Sequence, residues 1–157
     1  MNLTIKKFDI NNSKEILELR VNSNQESYIE TVGECIEEAS KCSNWRPVGI
    51  YDDEKIVGFA MYALFLEEGK NGRVWLDRLL ISAENQGKGY GEAAVRVLLK
   101  RLYREYGYDK IYLSVYDDNE VAIALYEKIG FQFTGEVDTK GEKLMAINLQ
   151  HEEHKNE

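Results

Sequence analysis

Apolar and polar residues alternate from Leu3 to Phe8, which predicts a first strand, and Ile16, Leu17 and Leu19 form one side of a helix predicted over Ser13 to Val21. A second helix is predicted after Thr31. The run between them, Asn22 to Glu30, is polar, aromatic and irregular, the composition of a segment that lines a mouth. Pro47 to Tyr51 reads as a strand, Asp52 to Glu54 as a hairpin turn, and Ile56 to Leu66 as a long, nearly continuous apolar strand covered on both faces. After a turn at Gly69 to Gly72, Val74 to Ile81 is a fourth strand. Gln86 to Gly91 is dense in glycine, and a helix follows from Ala93 to Tyr106 with Val95, Leu98, Leu99, Leu102 and Tyr106 on one stripe, stopped by Gly107. Lys110 to Tyr116 is a fifth strand, parallel to the fourth because a helix crosses between them. A helix over Glu120 to Ile129, stopped by Gly130, precedes a hairpin of Phe131 to Val137 and Lys143 to Leu149. The order is β-α-α-β-β-β-α-β-α-β-β, an α/β fold with a mixed central sheet of about seven strands and about four helices.

A length of 157 residues suits one domain, expected over 1–149, with a core that needs neither disulfides nor a structural metal. The polar tail, 150–157, is expected to be a loose terminus; its two histidines, His151 and His154, are three apart with no other ligand cluster nearby, so no metal is expected. Pro47 is the only proline, and neither a linker nor a repeat is visible. No apolar run approaches the length of a membrane helix and the N-terminus shows no leader pattern, so a soluble, cytoplasmic protein with no membrane partner is expected. The net charge of −8 argues against a nucleic-acid partner and inclines toward a cationic one, although acidity of this size also serves solubility alone. Cys35 and Cys42 are expected as half-buried thiols on one side of the second helix, about 10 Å apart along its axis and too far for a disulfide.

The glycine-dense turn carries the chemistry. Gly87, Gly89 and Gly91 remove side chains that would keep a ligand off the backbone, and the following helix offers unpaired N–H groups and a positive dipole end, which suits an anion such as a pyrophosphate. The spacing fits neither G-x-G-x-x-G nor the P-loop, since the third glycine comes one residue early and Lys88 is followed by Gly89. By itself the pattern is equally that of a tight strand-to-helix turn.

Gln86-Gly-Lys-Gly-Tyr-Gly91 resembles the Q/R-x-x-G-x-G/A coenzyme A loop of the GNAT (Gcn5-related) acetyltransferases. Downstream by one helix and one strand, Asn119-Glu-Val-Ala-Ile-Ala-Leu-Tyr126-Glu-Lys-Ile-Gly-Phe131 resembles that superfamily's N-x-x-A-x-x-x-Y-x-x-x-G-F segment. The resemblance covers nearly the whole chain. It extends to the bacterial Blt-type spermine/spermidine acetyltransferases through Asn24-Gln-x-Ser-Tyr-Ile-Glu30, Val57-Gly-Phe-Ala-Met-Tyr62, Asn71-Gly-Arg-Val-Trp-Leu-Asp-Arg78 and Gly130-Phe-Gln-Phe133.

The resemblance implies a GNAT fold with strands four and five splayed beside a bulge, and acetyl-CoA as co-substrate. Main chain of Leu79, Leu80 and Ile81 would hold the pantetheine arm. The amides of Gly87, Lys88, Gly89, Tyr90, Gly91 and Glu92 would hold the pyrophosphate, with the Gln86 and Lys88 side chains reaching it from the sides. Asn119 would bond the pantetheine amides, or serve only as a helix N-cap. Tyr126, with an ordinary pKa of about 10, matches the family's general acid, which protonates the departing thiolate. Asp77 stands where polyamine acetyltransferases place an acid facing the acceptor amine; its alternative is an ion pair with Arg73 or Arg78. Glu26, Tyr28 and Glu30 would line the same cleft, with Glu34 following on the helix. Transfer would be direct, with no covalent enzyme intermediate and neither cysteine as nucleophile. The implied acceptor is spermidine or spermine. Another amine (an amino acid, an aminoglycoside or a peptide N-terminus) and a non-catalytic acetyl-CoA sensor stay open, and a homodimer follows by family analogy only.

Overall fold

A computed structural model describes residues 1–26, 28 and 30–149; the tail expected from residue 150 onward, and Ser27 and Ile29 of the mouth segment, lie outside the described residues. The elements are β1 (Leu3–Lys7), α1 (Ser13–Leu17), α2 (Val32–Lys41), β2 (Arg46–Asp52), β3 (Lys55–Phe65), β4 (Arg73–Ile81), α3 (Tyr90–Tyr106), β5 (Lys110–Val115), α4 (Glu120–Ile129), β6 (Gln132–Val137) and β7 (Lys143–Asn148). The strands form one seven-stranded sheet in the order β1-β2-β3-β4-β5-β7-β6. β1, β2 and β3 run antiparallel, as do β5, β7 and β6. β4 and β5 pair in parallel at Val74↔Ile111 and Trp75↔Tyr112 alone, the splay that the family resemblance implied. By its contacts the chain forms two compact units, 1–63 with 76–98, and 64–75 with the described residues from 99 onward.

In the first unit Ile16, Leu19, Val32, Cys35, Phe59, Met61 and Leu80 form a buried cluster, with Trp45 and Ile56 packed on it. β3 is buried from Val57 to Ala63, as its continuous apolar run requires. Gly58 permits a close approach: a Cβ there would lie 2.5 Å from the carbonyl oxygen of Leu80. α2 starts on a capping box, the Thr31 hydroxyl accepting from Glu34 N–H at 3.2 Å and the Glu34 carboxylate accepting from Thr31 N–H at 3.0 Å. In the second unit the buried apolar residues include Leu102 of α3, Ile111 and Leu113 of β5, Phe131, and Met145 and Ile147 of β7.

Three expectations are corrected. α1 ends at Leu17 rather than Val21, because the Arg20 guanidinium turns back and donates to the carbonyls of Leu17 and Leu19 at 2.9 and 2.8 Å; Leu17 is then exposed while Ile16 and Leu19 are buried. α3 begins at Tyr90, one turn before the expected Ala93. α2 ends at Lys41, so Cys42 lies past the helix, and only Cys35 is fully buried.

Candidate active site

In the first unit, β4 runs into a 3₁₀ turn at Ala83–Asn85, the glycine loop and α3. Gly87 and Gly89 adopt φ of 76° and 86°, in the left-handed region that favours glycine, and a Cβ at either would meet nothing within 4 Å. Neither glycine is therefore explained by crowding; they set the curve of the loop and leave its main chain open on the surface. The first helical bond runs from Ala93 N–H to the Gly89 carbonyl at 3.3 Å, so the N–H groups of Tyr90, Gly91 and Glu92 have no intrahelical acceptor. Open glycines beside the amides of a helix N-terminus fit an anionic pyrophosphate.

Several side chains around this loop bond other parts of the protein, and Gln86, expected to reach a phosphate, is one of them. The Tyr90 phenol donates to Asp52 at 2.7 Å and pins the start of α3 to the end of β2, which leaves Tyr90 to serve a ligand through its amide; that bond also raises the phenol's pKa. Glu92 pairs with Arg96 one turn on at 3.3 Å. Lys88 is exposed and has no bond among the described residues. The Gln86 carboxamide bonds protein groups: its Nε2 donates to the carbonyl of Ile81 at 2.9 Å and to Gln25 Oε1 at 2.7 Å, and its Oε1 accepts from Asn22 Nδ2 at 2.7 Å. Along the preceding strand, Leu80 is buried and Leu79 and Ile81 are half-buried.

β4 carries a left-handed residue in its middle, Arg78 at φ 55°. Successive strand residues ordinarily face opposite sides, but this kink lets Asp77 and Arg78 meet: Arg78 Nη1 lies 3.6 Å from Asp77 Oδ2, and the Arg78 N–H donates to Asp77 Oδ1 at 3.1 Å. The same guanidinium lies 3.2 Å from Glu30 and 3.4 Å from Glu38 of α2. Of the two alternatives weighed for Asp77, its ion pair is thus with Arg78. Three carboxylates surround this one guanidinium, so within the cluster acidic groups outnumber the basic one. Burial pushes the Asp77 carboxyl up to about 6, against the opposing pull of Arg78. Burial likewise pushes the Cys35 thiol up to about 12, with Arg78 pulling the other way, so Cys35 is a protonated thiol.

Glu38 is a member of this cluster that sequence reasoning missed; its only signal was its spacing of four from Glu34 on α2. Glu34, expected on the cleft, is committed to its capping box, which holds its pKa down. Glu26 is exposed after the 3₁₀ turn Ser23–Gln25, and Tyr28 is half-buried with its N–H donating to the Gln25 carbonyl at 3.0 Å.

In the second unit, Asn119 caps α4 by accepting from Ala122 N–H at 3.4 Å, which leaves its amide NH₂ outside the cap. Tyr126 stands one turn before the helix end, and the Tyr-x-x-x-Gly-Phe spacing there has a local physical cause. Gly130, at φ 126°, ends the helix; Phe131 N–H donates to the Tyr126 carbonyl at 3.0 Å and Gly130 N–H to the Glu127 carbonyl at 3.1 Å. These are the two bonds of a Schellman cap. Its usual apolar contact is made by the Tyr126 and Phe131 rings, edge to face at 5.7 Å, with Phe131 buried. Tyr126 is therefore held by ring and backbone together. The Trp75 indole N–H donates to Glu68 at 2.7 Å and its ring packs on Tyr112.

A family model described as the acetyltransferase (GNAT) family matches residues 13–131. The spermine/spermidine N(1)-acetyltransferase of Bacillus subtilis (strain 168) is 46% identical over 152 residues, covering 95% of this chain and 100% of that protein. Among solved structures, the spermidine N-acetyltransferase of Vibrio cholerae in complex with CoA and spermine has a TM-score of 0.72 at 23% identity, covering 95% of this chain and 96% of that one. The aminoglycoside acetyltransferase AAC(6')-Ib in complex with paromomycin and acetyl-CoA has a TM-score of 0.83 at 21% identity, covering 100% and 99%. At those identities the two structures establish a shared fold. With a family model spanning most of the chain, a full-length relative, and the glycine loop and capped tyrosine in the expected elements, this chain belongs to the GNAT acetyltransferase family.

Proposed function

We propose that this protein transfers the acetyl group of acetyl-CoA directly to a primary amine of spermidine or spermine. The observation that carries the acceptor class is the Arg78 cluster, in which Glu30, Glu38 and Asp77 outnumber their counter-ion. A flexible chain of ammonium groups is attracted by excess carboxylate, and the full-length relative named as a spermine/spermidine acetyltransferase supports the same class.

Bound acetyl-CoA supplies a thioester carbonyl activated toward amines. The amides of Gly87 to Glu92 hold its pyrophosphate, each charge-assisted bond contributing about 1.5 to 3 kcal/mol, while Lys88 adds a mobile positive charge. The main chain of Leu79 to Ile81 aligns the pantetheine arm, and Asn119 NH₂ donates to it. Asp77 has two tasks: as a carboxylate it binds the incoming ammonium, and directly or through water it accepts the proton that must leave before nitrogen can attack. A pKa near 6 leaves it ionised at neutral pH. Glu26, Tyr28 and Glu30 steer the remaining ammonium groups. Tyr126 gives its phenolic proton to the departing thiolate and regains one from solvent. Residues 1–149 work as one catalytic domain in the cytoplasm, as a homodimer by analogy with the family. Among the described residues no helix is long and apolar enough to cross a membrane.

The test is release of coenzyme A thiol with spermidine and spermine beside lysine, an aminoglycoside and a short peptide, with the product mass recorded. Turnover fastest with the polyamines, adding one acetyl group, is the expected result. Preference for another amine overturns the acceptor assignment, and tight acetyl-CoA binding without turnover overturns catalysis.

A further inference from the structure

We propose that Gln86 is a positioning residue that links the pyrophosphate loop to the amine-binding mouth, so that cofactor and amine each tighten the binding of the other. This rests on the acetyltransferase reading above. By its place in the loop motif Gln86 is expected on a phosphate, yet its carboxamide is occupied within the fold. The carbonyl of Ile81 can only accept, which fixes the nitrogen end of the Gln86 amide toward it. That nitrogen also donates to Gln25, and the oxygen end accepts from Asn22. Both donors and one acceptor position are thereby filled by protein groups from the end of β4 and from the 3₁₀ turn at Ser23–Gln25.

That turn begins the mouth segment. Tyr28 N–H bonds the Gln25 carbonyl, and Glu30 reaches Arg78 beside Asp77, so the segment tied to Gln86 at one end joins the carboxylate cluster at the other. A second tie runs in parallel, Ala83 N–H donating to the Arg20 carbonyl at 2.7 Å. A three-residue 3₁₀ turn has little stability of its own and depends on such ties. Gln86 precedes Gly87, the first residue whose amide faces the pyrophosphate in this reading. A ligand that fixes the loop main chain fixes the root of the Gln86 side chain, and through its amide the Asn22–Gln25 turn. Ordering already achieved by one ligand need not be supplied again by the other, which is positive coupling and must be equal in both directions.

The experiment is calorimetric titration of the full chain with coenzyme A, which binds without turnover, and with spermidine, each alone and with the other saturating. The wild type is expected to show mutual tightening of about tenfold, the same factor either way. In Gln86→Ala the factor falls to about one while coenzyme A alone binds within about threefold of wild type; Gln25→Ala, remote from any phosphate role, lowers the factor in the same way. Retained coenzyme A binding reports that each variant is folded. Coenzyme A affinity lost by about tenfold with the factor intact makes Gln86 a plain phosphate ligand and overturns the proposal, as does a wild-type factor of one. If spermidine neither binds nor turns over, the polyamine assignment fails on the wild type alone, and the factor is measured with whichever amine releases thiol.

Discussion

Two glycine-bearing motifs of this chain, 86–91 and 126–131, use the same left-handed backbone to opposite ends. At Gly87 and Gly89 the chain curves through open space and exposes N–H groups that no helix bond takes up. At Gly130 the chain curves into its own helix end: the amides of Gly130 and Phe131 are taken by the carbonyls of Glu127 and Tyr126, and a Cβ there would meet Ile147 at 3.3 Å. The first motif leaves donors for a ligand, and the second consumes them to hold one side chain. A glycine pattern thus suits a binding site only where the helix leaves its amides outside the ladder.

Substitutions separate the two uses. The largest effect is expected from Tyr126→Phe, which keeps the ring contact and the cap but removes the hydroxyl: kcat should fall by about 100-fold or more with the melting temperature and acetyl-CoA affinity unchanged. A kcat equal to wild type would remove Tyr126 as the acid and leave the second motif purely architectural. Gly89→Val should weaken acetyl-CoA by about 30-fold, through one or two lost amide bonds and a strained φ, at small cost in stability because the site is open. A collapse in melting temperature with cofactor affinity intact would reverse the contrast between the motifs.

Asp77→Asn leaves both motifs alone and should raise the KM for spermidine about tenfold. As pH falls through about 6, Asp77 takes up a proton and its attraction for an ammonium disappears, so kcat/KM should decline on the acid side with a limb near that value, absent in the Asn variant. A limb unchanged in Asp77→Asn assigns it to another group. The smallest effect is expected from Gly130→Ala, a loss of about 1–2 kcal/mol from the left-handed φ and the approach to Ile147, read as a lower melting temperature with cofactor affinity within error of wild type.

Sequence made the sheet, the helices and the two motifs legible because periodicity and glycine placement are local signals. It misplaced the start of α3, since Tyr90 and Gly91 read as turn residues although Gly89 already caps the helix. It overran α1, since nothing local announces that Arg20 will take the carbonyls of Leu17 and Leu19. At the site, the glycine loop was readable from its spacing, and Tyr126 stood out through the family resemblance of the segment that carries it. The hydrogen bonds of Gln86 and the membership of Glu38 were not, because both depend on residues far apart in sequence that meet only after β4 and α2 are in place. The Schellman cap was half legible: Gly130 announced a stop, but the edge-to-face partner of Tyr126 needed coordinates.

The left-handed Arg78 has a consequence for how such an enzyme can change its diet. Because the kink brings the side chains of residues 77 and 78 together, a single codon at position 78 resets the charge of this cluster by one or two, from a guanidinium that tempers three carboxylates to a neutral side chain or an acidic one that adds to them. The glycine loop proposed for the co-substrate is a separate stretch of chain. With the acceptor at this cluster, as proposed above, its range can drift by point mutation while acetyl-CoA use is preserved, a modularity suited to a fold that serves different amines.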